Sequence, residues 1–262
     1  MKKMLTGIII FLLLACQPNT PKQDLISWLP QETELVIQSQ DLSLIKETLS
    51  SLDFLNENDF RLKTDLKEKL SFLNHIDSLG NSLIAFSGLA EDNFTFILIS
   101  ENQPELKLDS VQNKSVERLK FDDFEIDKLS IEENVFFIAR EKGIFLASNS
   151  QEMLKTLIEK KENFSDTQFQ KAYKATDPKK TSLLLNHKLV GEKFTNWFPK
   201  ADSTFTDFGS WTSIDLAETE GSIRFNGLSL WPEKPGLQQI FQNTGASPNH
   251  VFQVVPASAP GF

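Results

Sequence analysis

The stretch Phe124-Glu125-Ile126-Asp127-Lys128-Leu129-Ser130-Ile131 runs through Glu132-Glu133-Asn134 into Val135-Phe136-Phe137-Ile138-Ala139-Arg140. It then passes Glu141-Lys142-Gly143 into Ile144-Phe145-Leu146-Ala147-Ser148. Three runs rich in Ile, Leu, Phe and Val are separated by short connections of acidic residues, Asn and Gly. Such connections are too short for a crossover and suit tight hairpins, so the stretch predicts an antiparallel meander.

Working outward, Ser82 to Phe86 and Phe94 to Ser100 form a similar pair across Glu91-Asp92-Asn93. Ser210 to Leu216 and Ile223 to Leu230 form a third across Glu218-Thr219-Glu220-Gly221, with Asn226-Gly227 suggesting a bulge in its second arm. Ser182 to His187 reads as a strand, and so does Glu34 to Ser39, opened by Pro30.

Helical spacing appears between these pairs. Asp41 can cap a helix to about Ser51, and Leu62, Leu66, Leu70 and Leu73 stripe another from Asp59 to Leu73. Ser150 can cap Gln151 to Lys160, whose apolar face is Leu154, Leu157 and Ile158. Ser165-Asp166-Thr167-Gln168 has the capping-box form, continued by Phe169, Ala172 and Tyr173 and stopped by Asp177-Pro178. A further helix fits Leu189 to Trp197. Helices and antiparallel strands in separate stretches predict an α+β fold: a meander sheet with helices packed on one face, as the first of two repeated units.

The N-terminus carries an address. Lys2 and Lys3 precede an apolar run from Leu5 to Leu14, too short to span a bilayer, which takes about 20 residues. The run ends in Leu13-Leu14-Ala15-Cys16, which resembles the signal peptide and lipobox of bacterial lipoproteins. The resemblance implies cleavage after residue 15 and lipid attachment at Cys16, a membrane anchor of several acyl chains. By the same resemblance Gln17, where an Asp would retain an enteric lipoprotein in the inner membrane, favours the outer membrane. The absence of acidic residues in Gln17-Pro18-Asn19-Thr20-Pro21-Lys22 favours its periplasmic face over the cell surface.

The expected organisation is a signal peptide over 1–15, a tether over 16–24, an α+β domain over 25–245, and the start of a second repeat over 246–262. The second repeat is expected from Val251-Phe252-Gln253-Val254-Val255-Pro256, which matches the pattern of Leu25-Ile26-Ser27-Trp28-Leu29-Pro30. It makes the chain a fragment of a longer protein. The other reading is a terminal strand that closes the sheet. Pro235 to Phe262 contain no Asp, Glu, Lys or Arg.

Composition narrows function mostly by exclusion. The 262 residues give a formal charge of −9, which becomes −11 once Lys2 and Lys3 leave with the signal. Such a body is repelled by nucleic acid and by anionic lipid. Cys16 is the only cysteine, so no internal disulfide forms. Phe is abundant at 22 and Tyr rare at 1, which suits core filling better than a polar-tipped binding surface. His75, His187 and His250 are scattered, and no metal or cofactor site is expected from them.

Weak chemical signals remain. Ser43-Leu44-Ile45-Lys46 has the Ser-x-x-Lys form, and Lys180-Thr181-Ser182 loosely matches the strand that accompanies it in penicillin-binding enzymes, without its Gly or a Ser-Asp-Asn element. Asp122-Asp123 and Glu132-Glu133 lack the spacing of a calcium loop and read as solvated turns. Trp197-Phe198-Pro199 and Trp231-Pro232 read as element ends anchored to a core.

The lipoprotein signal, the Leu29-Pro30-Gln31-Glu32-Thr33 strand opening, Gln40-Asp41-Leu42 before a helix, and the stretch Ser148 to Lys188 resemble a family of uncharacterised envelope lipoproteins of flavobacterial type. The resemblance implies an envelope location and a repeated α+β domain, and it brings no catalytic residues. The expectation is a lipid-anchored, non-enzymatic scaffold or binding protein. Its membrane contact runs through Cys16, its other partner is an envelope protein or polymer, and it takes no cofactor. The alternatives are an envelope hydrolase acting on cell wall or exported polymer, and a surface adhesin or glycan-capture lipoprotein.

Overall fold

Ser82–Ser87, Thr95–Ser100 and Ile144–Ser148 read Ser-Leu-Ile-Ala-Phe-Ser, Thr-Phe-Ile-Leu-Ile-Ser and Ile-Phe-Leu-Ala-Ser. Continuous apolarity, where alternation would do for a sheet wet on one side, is what a strand needs when both faces are covered. The computed structural model bears this out, describing residues 24–41, 43–46, 68–76, 80–89, 94–160, 164–190, 209–219 and 222–231. In each of these three strands the interior positions are buried on both sides.

In chain order the strands are β1 (Leu35–Ser39), β2 (Ser82–Ser87), β3 (Thr95–Ser100), β4 (Lys114–Lys120) and β5 (Glu125–Ile131). They continue as β6 (Asn134–Glu141), β7 (Ile144–Ser148), β8 (Thr181–Asn186), β9 (Trp211–Thr219) and β10 (Ser222–Leu230). They form one ten-stranded sheet in the order β10-β9-β8-β1-β2-β3-β7-β6-β5-β4, with every pair antiparallel. Among the described residues strands dominate and helices are few. The expected antiparallel meander is present, in three runs. β1-β2-β3 and β8-β9-β10 extend outward from adjacent strands, and β4 to β7 return from the far edge to close on β3. Sequence periodicity shows strands, but pairing between distant strands is set by which faces complete a core.

The hairpins tighten as expected from short turns. Ile131 pairs with Asn134 and Glu141 with Ile144, so the loops are only Glu132-Glu133 and Lys142-Gly143. Lys142 and Gly143 both take positive φ, 49° and 84°, the twist that matches flanking strands. The expected bulge at Asn226-Gly227 is absent: Asn226 pairs with Asp215 and Gly227 with Ile214 in unbroken register. Gly is required there for another reason, because a Cβ would collide with the Ser213 carbonyl oxygen.

Two α-helices are described in full between the strands, α1 (Gln151–Lys160) and α2 (Thr167–Lys174). Ser150 caps α1 as expected, its Oγ accepting from Met153 N at 3.2 Å. For α2 the cap is Asp166 and not Ser165. Its Oδ1 accepts from Gln168 N at 2.8 Å and Phe169 N at 3.0 Å. A carboxylate one residue nearer satisfies two orphan amides and carries the charge a helix N-terminus favours.

The expected packing of helices on one face is corrected, because apolar cover lies on both. On one face α1, α2 and a 3-10 helix at Leu25–Trp28 bury Leu154, Phe169 and Leu25 against Val36, Leu83 and Leu146. On the other, Ile45, Phe72, Leu73 and Ile76 pack with Ile84, Phe96 and Phe145. Around Ile45, residues 43–46 are helical, with Ser43 N donating to Asp41 Oδ1 at 2.7 Å. The helix expected to end at Leu73 is described only at its end, where a 3-10 helix at Leu70–His75 seats Leu70, Phe72 and Leu73. The expected helix at Leu189 to Trp197 is described only to residue 190. Residues 1–23 and 232–262, with the expected signal, Cys16 and the expected second repeat, lie outside the described residues.

β4 is a strand that periodicity does not reveal. Its face is almost wholly exposed, and it is held to β5 by cross-strand charge: Arg118 to Asp127 at 3.1 Å and Glu117 to Lys128 at 3.5 Å. Charges on an outer strand blunt edge-to-edge pairing.

Candidate functional site

The Leu-Pro-x-x-Thr opening has a physical reason. Leu29 is buried, and Thr33 Oγ1 donates to the Pro30 carbonyl at 2.6 Å, which closes the turn before β1. Next along the chain, Glu34 is buried. Its carboxylate takes the amides of Gly88 at 3.1 Å and Leu89 at 2.8 Å, while Glu34 N donates to Phe86 O at 2.8 Å. Two charge-assisted bonds from one buried carboxylate tie the loop before β1 to the chain leaving β2.

α1 is pinned to the same end of the sheet. Asn149 accepts from Phe96 N at 2.9 Å and donates to Phe94 O at 3.1 Å, and Ser148 Oγ donates to Phe96 O at 2.6 Å. The helix therefore starts at a fixed place beside the first residues of β3.

Between these two anchored parts lies a cleft of about 390 Å³. The loop contributes Leu29, Pro30, Gln31 and Glu32; α1 contributes Glu152, Met153, Thr156 and Leu157. The strands contribute Ser87 and Thr95, which pair across β2 and β3 and so share the face that α1 covers. Leu29, Met153 and Leu157 give apolar walls. Glu32 and Glu152 bring two carboxylates, both exposed and neither ion-paired among the described residues. Among the described residues no Lys, Arg or His lines the cleft. Ser87 Oγ is buried and has no hydrogen-bond partner among the described residues, a state that costs about 1–3 kcal/mol for a polar group.

The residues singled out from sequence lie elsewhere and hold structure. Ser43 Oγ donates to Asp41 Oδ1 at 2.7 Å, and that bond holds the Asp41 carboxyl below its usual range. Lys180 pairs with Asp177 at 3.3 Å, Thr181 Oγ1 meets Ser39 Oγ at 3.3 Å, and Ser182 Oγ donates to Asp215 Oδ1 at 2.6 Å. Asp122-Asp123 and Glu132-Glu133 sit at the β4–β5 and β5–β6 turns, all four exposed. Among the described residues no group of three or more His, Cys, Asp or Glu is gathered as for a metal.

His187 is buried, with Nε2 2.6 Å from Thr212 Oγ1, and burial lowers its pKa. His75 ends its 3-10 helix, and Trp231 is half-buried. Cys16, His250 and Trp197-Phe198-Pro199 lie outside the described residues. None of the cleft's polar groups was singled out from sequence. They come from four segments, of which the Leu-Pro-x-x-Thr opening and the Ser148 to Lys188 stretch marked two.

No family model matches the chain, and no curated protein matches it. Two solved structures do align. "Structure of crystal form III of TP0453" has 14% identity and a TM-score of 0.43, covering 84% of this chain and 85% of that one. "Structure of crystal form I of TP0453" has 12% identity and a TM-score of 0.45, covering 85% and 84%.

Proposed function

We propose that this chain is a lipid-anchored cell-envelope protein, of non-enzymatic scaffolding or binding role, held at the periplasmic face of the outer membrane through Cys16. The observation that carries the reading is the succession Lys2-Lys3, apolar run, Leu13-Leu14-Ala15-Cys16, then a short polar tether. Residues 17–24 reach at most about 25–30 Å when extended. The described body begins at Asp24, which accepts from Ile26 N at 3.1 Å and starts the 3-10 helix leading into the cleft loop. The cleft is therefore close along the chain to the proposed anchor, which suits capture of a component of the envelope. A second unit opening at residues 246–262 belongs to the same proposal.

Intact mass of the natural product tests it. The expected N-terminus is an acylated Cys16, and Cys16→Ala moves the protein out of the membrane fraction. A retained Met1, or a processed end without acyl mass, overturns the anchor. Protease treatment of intact cells leaves a periplasmic body whole and cuts a surface adhesin. An envelope hydrolase would instead lose all activity on removal of one nucleophile or carboxylate pair.

A further inference from the structure

The cleft between the 29–32 loop and α1 has a chemical preference. Its walls combine a short apolar floor with carboxylates from two separate elements, and among the described residues no cation lines it. The N-terminus of α1 explains a carboxylate at Glu152, in the first turn. It does not explain a second at Glu32, which follows the C-terminal end of the Leu25–Trp28 3-10 helix and sits at no helix N-terminus. Two like charges bordering one small cleft, neither ion-paired among the described residues, repel each other, and a cation placed between them relieves that.

We propose that this cleft binds a primary ammonium group carried on a short aliphatic stem. The stem lies on Leu29, Met153 and Leu157, and the ammonium meets Glu32 and Glu152. Thr95 and Thr156 supply hydroxyls at the same cleft, and turning the unpartnered Ser87 hydroxyl to another rotamer adds an acceptor from below. A lysine side chain in an extended peptide and a free alkyl diamine share this chemistry. Anions of the same length are excluded by charge. The inference rests on the reading of the body as a binding protein and is independent of the lipid anchor.

Calorimetric titration of the full-length protein in detergent tests it, with 1,5-diaminopentane, end-blocked Ala-Lys-Ala, its Nε-acetylated form, and pentanoate. Saturable binding of the diamine or the lysine peptide is expected, with none of pentanoate or the acetylated peptide, and with weakening as salt rises. The diamine arm and the peptide arm tell the two sources apart. Glu32→Gln with Glu152→Gln should weaken binding at least about tenfold while moving the melting temperature only slightly, since both side chains are exposed and only Glu152 sits at a helix N-terminus. Thr156→Arg, which sets a cation in the cleft, should abolish it. No saturable amine binding, equal binding of pentanoate, or binding indifferent to the double Gln variant would each overturn the proposal. An acylated Cys16 in the same preparation would leave the anchoring reading standing whichever result is obtained.

Discussion

The β2–β3 and β9–β10 hairpins follow neighbouring strands, β1 and β8, and extend the sheet in opposite directions. Their burial differs. On one sheet face the first sets Phe86 opposite Phe96, both fully buried. On the same face the second sets Thr212 opposite Ser229, with hydroxyls 2.6 Å apart and linked onward to His187. β10 leaves Phe225 60% exposed and Leu228 41% exposed. The difference follows from what lies beyond each hairpin. β3 is flanked by β7 and sits deep in the sheet, whereas β10 is an edge strand among the described residues. A similar local arrangement becomes core or margin according to its next neighbour.

The sharpest way to break this comparison is a matched pair of truncations. Phe96→Ala should cost about 3–5 kcal/mol in urea unfolding, because it empties a site packed by Phe136 with ring centroids 6.4 Å apart. Phe225→Ala should change stability by less than about 0.5 kcal/mol. Equal costs would mean that β10 is covered after all. Next in size, Asp166→Ala should cost about 0.5–2 kcal/mol by the same measurement. It uncaps α2 and leaves Trp211 Nε1, now 2.8 Å from Asp166 Oδ2, without its acceptor beneath β9. Asp166→Asn, which keeps an acceptor at the cap, should recover much of the loss.

The smallest effect concerns the polar chain that replaces the phenylalanines. Burial lowers the His187 pKa below 6.5, so the unfolded chain takes up the proton first as pH falls. The stability owed to neutral His187 is complete above about pH 6.5 and declines below it, towards the folded-state pKa. Melting curves from pH 8 to 5 should show His187→Gln losing less stability over that window than the parent. An identical slope in both would remove His187 from the account.

Much of the sheet was legible, and the reason is local. β5, β6 and β7 announce themselves because their turns are two residues long and carry charge or Gly, so register follows from the turn. The double burial of β2, β3 and β7 was also present in their unbroken apolar runs, although helices on one face were expected. β4 was not legible, because Lys114-Ser115-Val116-Glu117-Arg118-Leu119-Lys120 buries almost nothing and earns its place through pairing with β5. Neither was the adjacency of β1 and β8, which no local pattern encodes. The cleft failed for the same reason. Glu32, Ser87, Thr95 and Glu152 are ordinary residues until Glu34 and Asn149 bring their segments to one end of the sheet.

The central position of β1 has a consequence for the order of folding. Its two partners are β2 and β8, and the latter contact joins Ser39 to Thr181 across 142 positions. A chain emerging from its N-terminus therefore holds β1 with one bare edge until Asn186 has appeared. Closing so long a loop is slow. The two halves of the sheet can each ripen early, but the seam between them is sewn last.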